Sequence, residues 1–152
     1  MNPSGDPVLT RWAADCAEHL LTQFPDFADH SAEAAIASAR AWADGTASAD
    51  DCREAAFTAH MSARELSEAG YRAAASCVRT AANAAASCDD ATLAETAADY
   101  AIEAISLNSA PCELSSAVPT ERRWQWTQLP EPQRSALFEA EPPEASAASC
   151  AI

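Results

Sequence analysis

The side chains best suited to chemistry are three histidines, His19, His30 and His60, and six cysteines, Cys16, Cys52, Cys77, Cys88, Cys112 and Cys150. Cys16 and His19 stand three residues apart, which puts them on one face of a helix, with Asp15 and Glu18 beside them. A thiol next to an imidazole can act as a nucleophile with its base, or the two can ligate a metal. The plainer alternative is a core cysteine beside a histidine on a polar edge. His60 and Arg64 are i, i+4 neighbours further along. If their helix packs on that of Cys16, then Asp15, Cys16, His19, His60 and Arg64 share a polar groove able to do acid–base work or hold a ligand. A structural hydrogen-bond network is the commoner outcome of such an arrangement. No cysteine pair has CxxC spacing and there is no Glu-x-x-His motif. Neither a metal site nor a cofactor is therefore expected.

Two further groups concern recognition. Glu95, Asp99 and Glu103 form an i, i+4, i+8 row. Like charges at that spacing cost an isolated helix a few tenths of a kcal/mol per pair. The row is either a solvated face, neutralised by Arg72 or Arg79, or a landing strip for a basic partner. Trp124 and Trp126, in ERRWQW, cannot share one helical face. They latch the C-terminal segment onto the body of the protein or anchor a partner, a role in which exposed Trp is favoured.

The elements that must position these residues are marked by clear punctuation. Asp6-Pro7 supplies an N-cap and a first-turn proline for helix 1, which ends at Phe24-Pro25. Its apolar stripe is Leu9, Trp12, Cys16, Leu20 and Leu21. Helix 2 runs from about Ser31 to Gly45, with Ile36, Ala39 and Trp42 inward. Ser48 and Asp51 make a capping-box pattern for helix 3, which turns Cys52, Ala55, Ala56, Ala59, Ala63 and Leu66 inward and stops at Gly70. In helix 4 the inward face is Ala74, Cys77, Val78, Ala81, Ala85 and Cys88, and a second face holds Arg72, Ser76, Arg79 and Asn83. Its small inward residues let neighbouring backbones come close, which suits a central position. Helix 5 spans about Asp89 to Asn108. Residues 110–119 read as a loop, Thr120-Glu121 as the cap of a short helix, and Pro130 and Pro132 as the break before a last one.

About a quarter of the 152 residues are alanine, the best helix former, and there are three glycines. The expected fold is all-α: a single compact bundle of about five main helices plus one or two short C-terminal ones, over residues 1–139. Residues 140–152 lack apolar bulk and period, and read as a flexible tail. Net charge is −14, and all nine basic residues are arginine. That field argues against nucleic acid and anionic membrane as partners and favours a basic protein surface. The N-terminus has neither the basic nor the apolar region of a secretory leader, and no apolar run approaches a membrane span. A cytoplasmic protein with reduced cysteines is the expectation.

Four segments, RWAADCAEHLL (11–21), ARAWADG (39–45), REAAFTAHMSAREL (53–66) and ERRWQWTQLPEPQRSALF (121–138), occur in that order. Together they resemble the immunity proteins of bacterial polymorphic toxin systems, in the small helical family called immunity-protein-five-like, over roughly residues 8–139. The resemblance implies a cognate toxin as partner, neutralised by stoichiometric binding in the cytosol with no catalytic residues. A basic nuclease domain is the toxin class an acidic surface suits. The resemblance also implies a histidine-rich helix 4 reading roughly AGHAAATAHVATHA. This chain has AGYRAAASCVRTAANAAAS instead, with Tyr71, Cys77 and Asn83 near those positions. On this reading Glu95, Asp99, Glu103, Trp124 and Trp126 contact the partner. The alternative is a small enzyme or ligand-binding protein using the groove between helices 1 and 3.

Overall fold

Helix starts and stops follow local chemistry. In the structure, a computed structural model that describes residues 5–143, Asp6 caps α1 (Pro7–Gln23) by accepting from the Val8 amide at 2.9 Å. A single 3-10 turn, Pro25–Phe27, leads into α2 (His30–Ala43). Asp29 caps α2 by accepting from the amides of Ser31 and Ala32. The Ser48/Asp51 capping box opens α3 (Ala49–Glu68). Gly45 and Gly70, at φ +81° and +94°, end α2 and α3. At each end two amides turn back onto the last carbonyls, Gly45 on Trp42 with Thr46 on Ala41, and Gly70 on Ser67 with Tyr71 on Leu66. This paired arrangement needs a left-handed residue, and glycine adopts that conformation without a Cβ penalty.

The chain continues as α4 (Arg72–Ala86), α5 (Thr92–Leu107), α6 (Leu114–Gln128) and α7 (Glu131–Leu137), with no strand among the described residues. The fold is all-α. α4 lies at its centre, packed against α1, α2, α3 and α5. Ala75, Cys77, Val78, Ala81, Ala82, Ala84 and Ala85 on α4 are all buried, and so are Ser76, Thr80 and Asn83. The sequence places Ser76 and Asn83 on a second face with Arg72 and Arg79. Packing against four helices covers most of that face as well, leaving Arg72 exposed and Arg79 half-buried, and the buried polar groups find partners close at hand. Thr80 Oγ1 donates to Ser76 O and Asn83 Nδ2 to Arg79 O, each at 2.9 Å, and Ser76 Oγ donates to Glu103. Bonding back onto the preceding turn is what lets small polar side chains enter a helical core.

The expected loop at 110–119 is a correction. α6 begins at Leu114 and runs through Pro119 without a break. Pro119 removes one helical hydrogen bond, the one its amide would make to Ser115 O. Ser115 is exposed, so water can serve that carbonyl. Thr120 accordingly lies inside the helix and caps nothing. The cysteines require a second correction. Cys16, Cys52, Cys77 and Cys88 are free and buried, but Cys112, in the turn before α6, is disulfide-bonded. Cys150 and most of the expected tail lie outside the described residues. Residues 141 and 142 are tied to α6, where Arg123 donates to Pro142 O at 2.6 Å and pairs with Glu141 at 2.9 Å.

Candidate functional site

The five residues expected to share a groove go to separate places. α4 stands between α1 and α3, which have no substantial contact. Asp15 and Glu18 both bind Arg40 of α2, at 2.8 and 2.5 Å. Cys16 is fully buried. Burial drives its thiol pKa well up, and the carboxylates of Glu121 and Asp15 push it further the same way. A thiol so placed is not a nucleophile at neutral pH. His60 is exposed on α3, its pKa lowered by partial desolvation and by the charge of Arg79. Arg64 pairs within its own helix, with Glu68 at 3.0 Å. Of the positions where the resemblance implied histidines, Cys77 and Asn83 are buried while Tyr71 is exposed, so they make no common surface.

His19 points the other way, to α6. Its Nδ1 lies 3.1 Å from Glu121 Oε2, and Gln23 Nε2 lies 3.2 Å from Glu121 Oε1. Glu121 is only 3% exposed. Gln23 Nε2 also approaches the same Nδ1, at 3.3 Å. A neutral Nδ1 cannot donate to a carboxylate and accept from an amide at once. The consistent assignment has Nδ1–H donating to Oε2 while Gln23 serves Oε1. Trp124 stacks on the imidazole, with centroids 3.6 Å apart and planes 10° from parallel. The trio borders an open cleft of about 470 Å³ with Glu113, Ser116 and Thr120 on its sides. The sequence reading gave Glu121 only a helix-capping role with Thr120 and gave Gln23 no role in a site. The only sequence signal was the i, i+4 spacing of Glu121 and Gln125, both buried. With Cys16 buried and inert, this cluster offers an oriented imidazole but no nucleophile. Its evident work is joining α1 to α6.

The same holds for much of the ERRWQW segment. Gln125, wholly buried, donates to Ala98 O at 3.1 Å and its own carbonyl accepts from the Trp12 indole at 2.8 Å. The Arg134 guanidinium sits 4.2 Å from the centre of the Trp126 ring and bonds to Trp126 O and Thr127 O, folding α7 back on α6. Trp124 and Trp126 are both half-buried.

Glu95, Asp99 and Glu103 are exposed along one edge of α5. Neither Arg72 nor Arg79 neutralises them: Arg122 of α6 pairs with Asp99 at 2.5 Å, and Glu103 accepts from Ser76 at 2.9 Å. Glu95 has no hydrogen bond or ion pair among the described residues. Beside Glu95 and Asp99 opens a cleft of about 420 Å³ between α5, α6, α7 and the segment that follows. Its walls are mainly apolar, from Trp12, Ala98, Val118, Pro119, Leu137 and Phe138. Among the described residues no group of three or more His, Cys, Asp or Glu is arranged to hold a metal ion, and no helix is long and apolar enough to cross a membrane.

The buried polar groups here hold helices together, and of the three α5 carboxylates Glu95 is the one without a hydrogen bond or ion pair among the described residues. Over residues 6–132 the chain matches the family described as Imm-5 like putative immunity protein, and it belongs to that family. No curated protein and no solved structure matches it.

Proposed function

We propose that the protein neutralises a cognate toxin in the cytosol by stoichiometric binding, with the acidic edge of α5 as its main contact. The observation that carries this reading is the exposed row Glu95, Asp99 and Glu103 in a family member of net charge −14. A row that strains its own helix is retained at no cost to the complex if a basic surface covers it. A nuclease toxin, whose substrate groove must be basic to hold phosphates, is the partner class such a face suits. Trp124 and Trp126 contribute their exposed edges at the rim, since their buried parts hold α6 in place. Occlusion of this kind calls on no catalytic group and needs only a complementary patch of standard interface size, roughly 800 Å² per partner.

The test is growth. A toxin domain found encoded beside the gene is expected to arrest bacterial growth when expressed, and co-expression of this protein is expected to restore it. Replacing Glu95, Asp99 and Glu103 by Arg together slows association with the purified toxin by about tenfold or more at low salt, and flattens its salt dependence. Unchanged association kinetics with unchanged salt dependence remove the α5 edge from the interface. Failure to restore growth removes the immunity reading itself.

A further inference from the structure

We infer that the apolar cleft between α5, α6 and α7 is a socket for a long aliphatic cation, an arginine or lysine side chain presented by the toxin. The inference rests on the toxin-binding reading for the identity of the partner, and on the cleft alone for the chemistry. At about 420 Å³ the cleft falls within the range of small-ligand sites, roughly 300–1,000 Å³, and has room for more than one side chain's tip. Its walls of Trp12, Val118, Pro119, Leu137 and Phe138 can take up methylene groups, and their one donor, the Trp12 indole, is spent on Gln125 O.

The rim decides the sign of the guest. Two carboxylates, Glu95 and Asp99, and one guanidinium, Arg122, border the cleft. Arg122 is already committed, to Asp99 at 2.5 Å and to Gln125 Oε1 at 2.9 Å. That leaves the carboxylate of Glu95, one turn from Asp99 on α5, as the uncompensated charge. An anionic guest meets net repulsion there. A neutral apolar guest gains the walls but leaves Glu95 as it is. A side chain with an apolar stem and a cationic head satisfies both, with the stem on the rings and the head on Glu95. Anchoring residues that fill a pocket near the centre of an interface carry most of its affinity, and arginine is prominent among them.

The full chain, with its valine and leucine methyls isotope-labelled, is titrated by NMR with n-butylguanidinium, with its neutral isostere n-butylurea, and with guanidinium alone. Saturable shifts of the Val118 and Leu137 methyls are expected with n-butylguanidinium. Glu95→Gln should weaken that binding about three- to fivefold, as befits one partly exposed charge pair, and leave n-butylurea unaffected. Glu95→Lys, which places a fixed cation on the rim, should abolish the preference for the charged probe. Silent methyls, equal binding of the urea, or full retention in Glu95→Gln would each overturn the socket. Methyl shifts that move with protein dilution alone would overturn it in favour of a second copy of this chain. The growth assay is independent of these outcomes. Restored growth with a silent cleft removes the socket and leaves immunity standing, whereas a cation-selective cleft with no restored growth does the reverse.

Discussion

The two halves of the molecule are held together by different physics. Around α4 the contacts are between small residues: Ala13, Ala14 and Ala17 of α1, Ala35 and Ala39 of α2, Ala59 and Ala63 of α3, and Ala97 and Ala101 of α5 are all wholly buried. Backbones there come close, and Thr80 and Asn83 bond back onto their own helix. Where α6 meets α1 and α5 the backbones make far fewer close approaches. The gap is bridged instead by long side chains: Trp12 to Gln125, His19 to Glu121, Gln125 to Ala98 and Arg122 to Asp99. Close packing of small groups tolerates almost no change in volume. A seam of directional bonds tolerates changes in volume but not the loss of a partner. The candidate recognition surface, from the acidic edge to the cleft, belongs to the second half.

The largest expected effect lies in the first. Ala82 is wholly buried on α4, where neighbouring helices leave no room for a larger side chain. Ala82→Leu is expected to destabilise the fold by about 3 kcal/mol, toward the upper end of ordinary overpacking. Urea denaturation followed by circular dichroism measures it. A loss below about 1 kcal/mol would reveal slack around α4 and dissolve the contrast between the halves.

Next in size is Glu121→Ala at the seam, expected to cost about 2 kcal/mol because it strips the buried partner from both His19 and Gln23. The informative measurement is native-state hydrogen exchange. If the seam is a separate unit, α6 amides lose protection while α3 and α4 amides keep theirs. Equal loss throughout would show one cooperative structure in place of two halves. Glu121→Gln, which retains an acceptor for the His19 ring, should recover a good part of the loss.

The difference between the halves also governs what could be read without coordinates. The caps at Asp6 and Ser48, the glycine stops at 45 and 70, and the inward stripes of α1 and α3 depend on residues within one or two turns, and each stands where its residue types suggest. The central place of α4 was legible in its small side chains. The burial of Ser76 and Asn83 was not, because polarity does not tell whether a side chain faces water or its own backbone. At the seam, His19 and Glu121 are 102 residues apart, so no local pattern pairs them. Residues 110–119 read as a loop, yet α6 begins at Leu114 and carries Pro119 with one bond lost. The acidic row could be read from its spacing. The cleft at its end could not, because four helices and the chain after α7 must meet to make it.

A polar tie within the alanine-packed half sharpens the comparison. Asp29 caps α2 and also accepts from Ser62 Oγ of α3 at 2.9 Å. Burial by itself would raise its pKa. The hydroxyls of Ser31 and Ser62 and the amides of Ser31 and Ala32 outweigh that, and the folded carboxyl titrates below its ordinary range. Its folded pKa is therefore lower than its unfolded one. The stability it contributes is complete above the unfolded value near 3.9 and is lost as pH falls through the folded value. Asp29→Ala should cost about 1 kcal/mol at neutral pH, as loss of an N-cap does, and the gap between the two proteins should close as pH falls below the ordinary carboxylate range. Stability curves against pH for both proteins check this. A gap that persists unchanged in acid would mean that packing, and not the carboxylate, holds α2 to α3 at this point.

The smallest effect isolates backbone from packing. Gly70 sits between α3 and α4 at φ +94°, and a Cβ built there meets nothing within 4 Å. Gly70→Ala therefore adds no clash, and its cost is the left-handed conformation alone, about 1 kcal/mol. Gly70→Asn should cost less, since a short polar side chain accepts that conformation more readily. Both are read from the midpoint of urea unfolding, with the slope expected to stay constant. Equal losses for Ala and Asn would point to crowding at the turn, and then even the tightest hairpin of the alanine-packed half would be governed by volume throughout. The expected ordering instead confines the volume-limited region to the helices themselves and leaves the turn that joins α3 to α4 to backbone geometry.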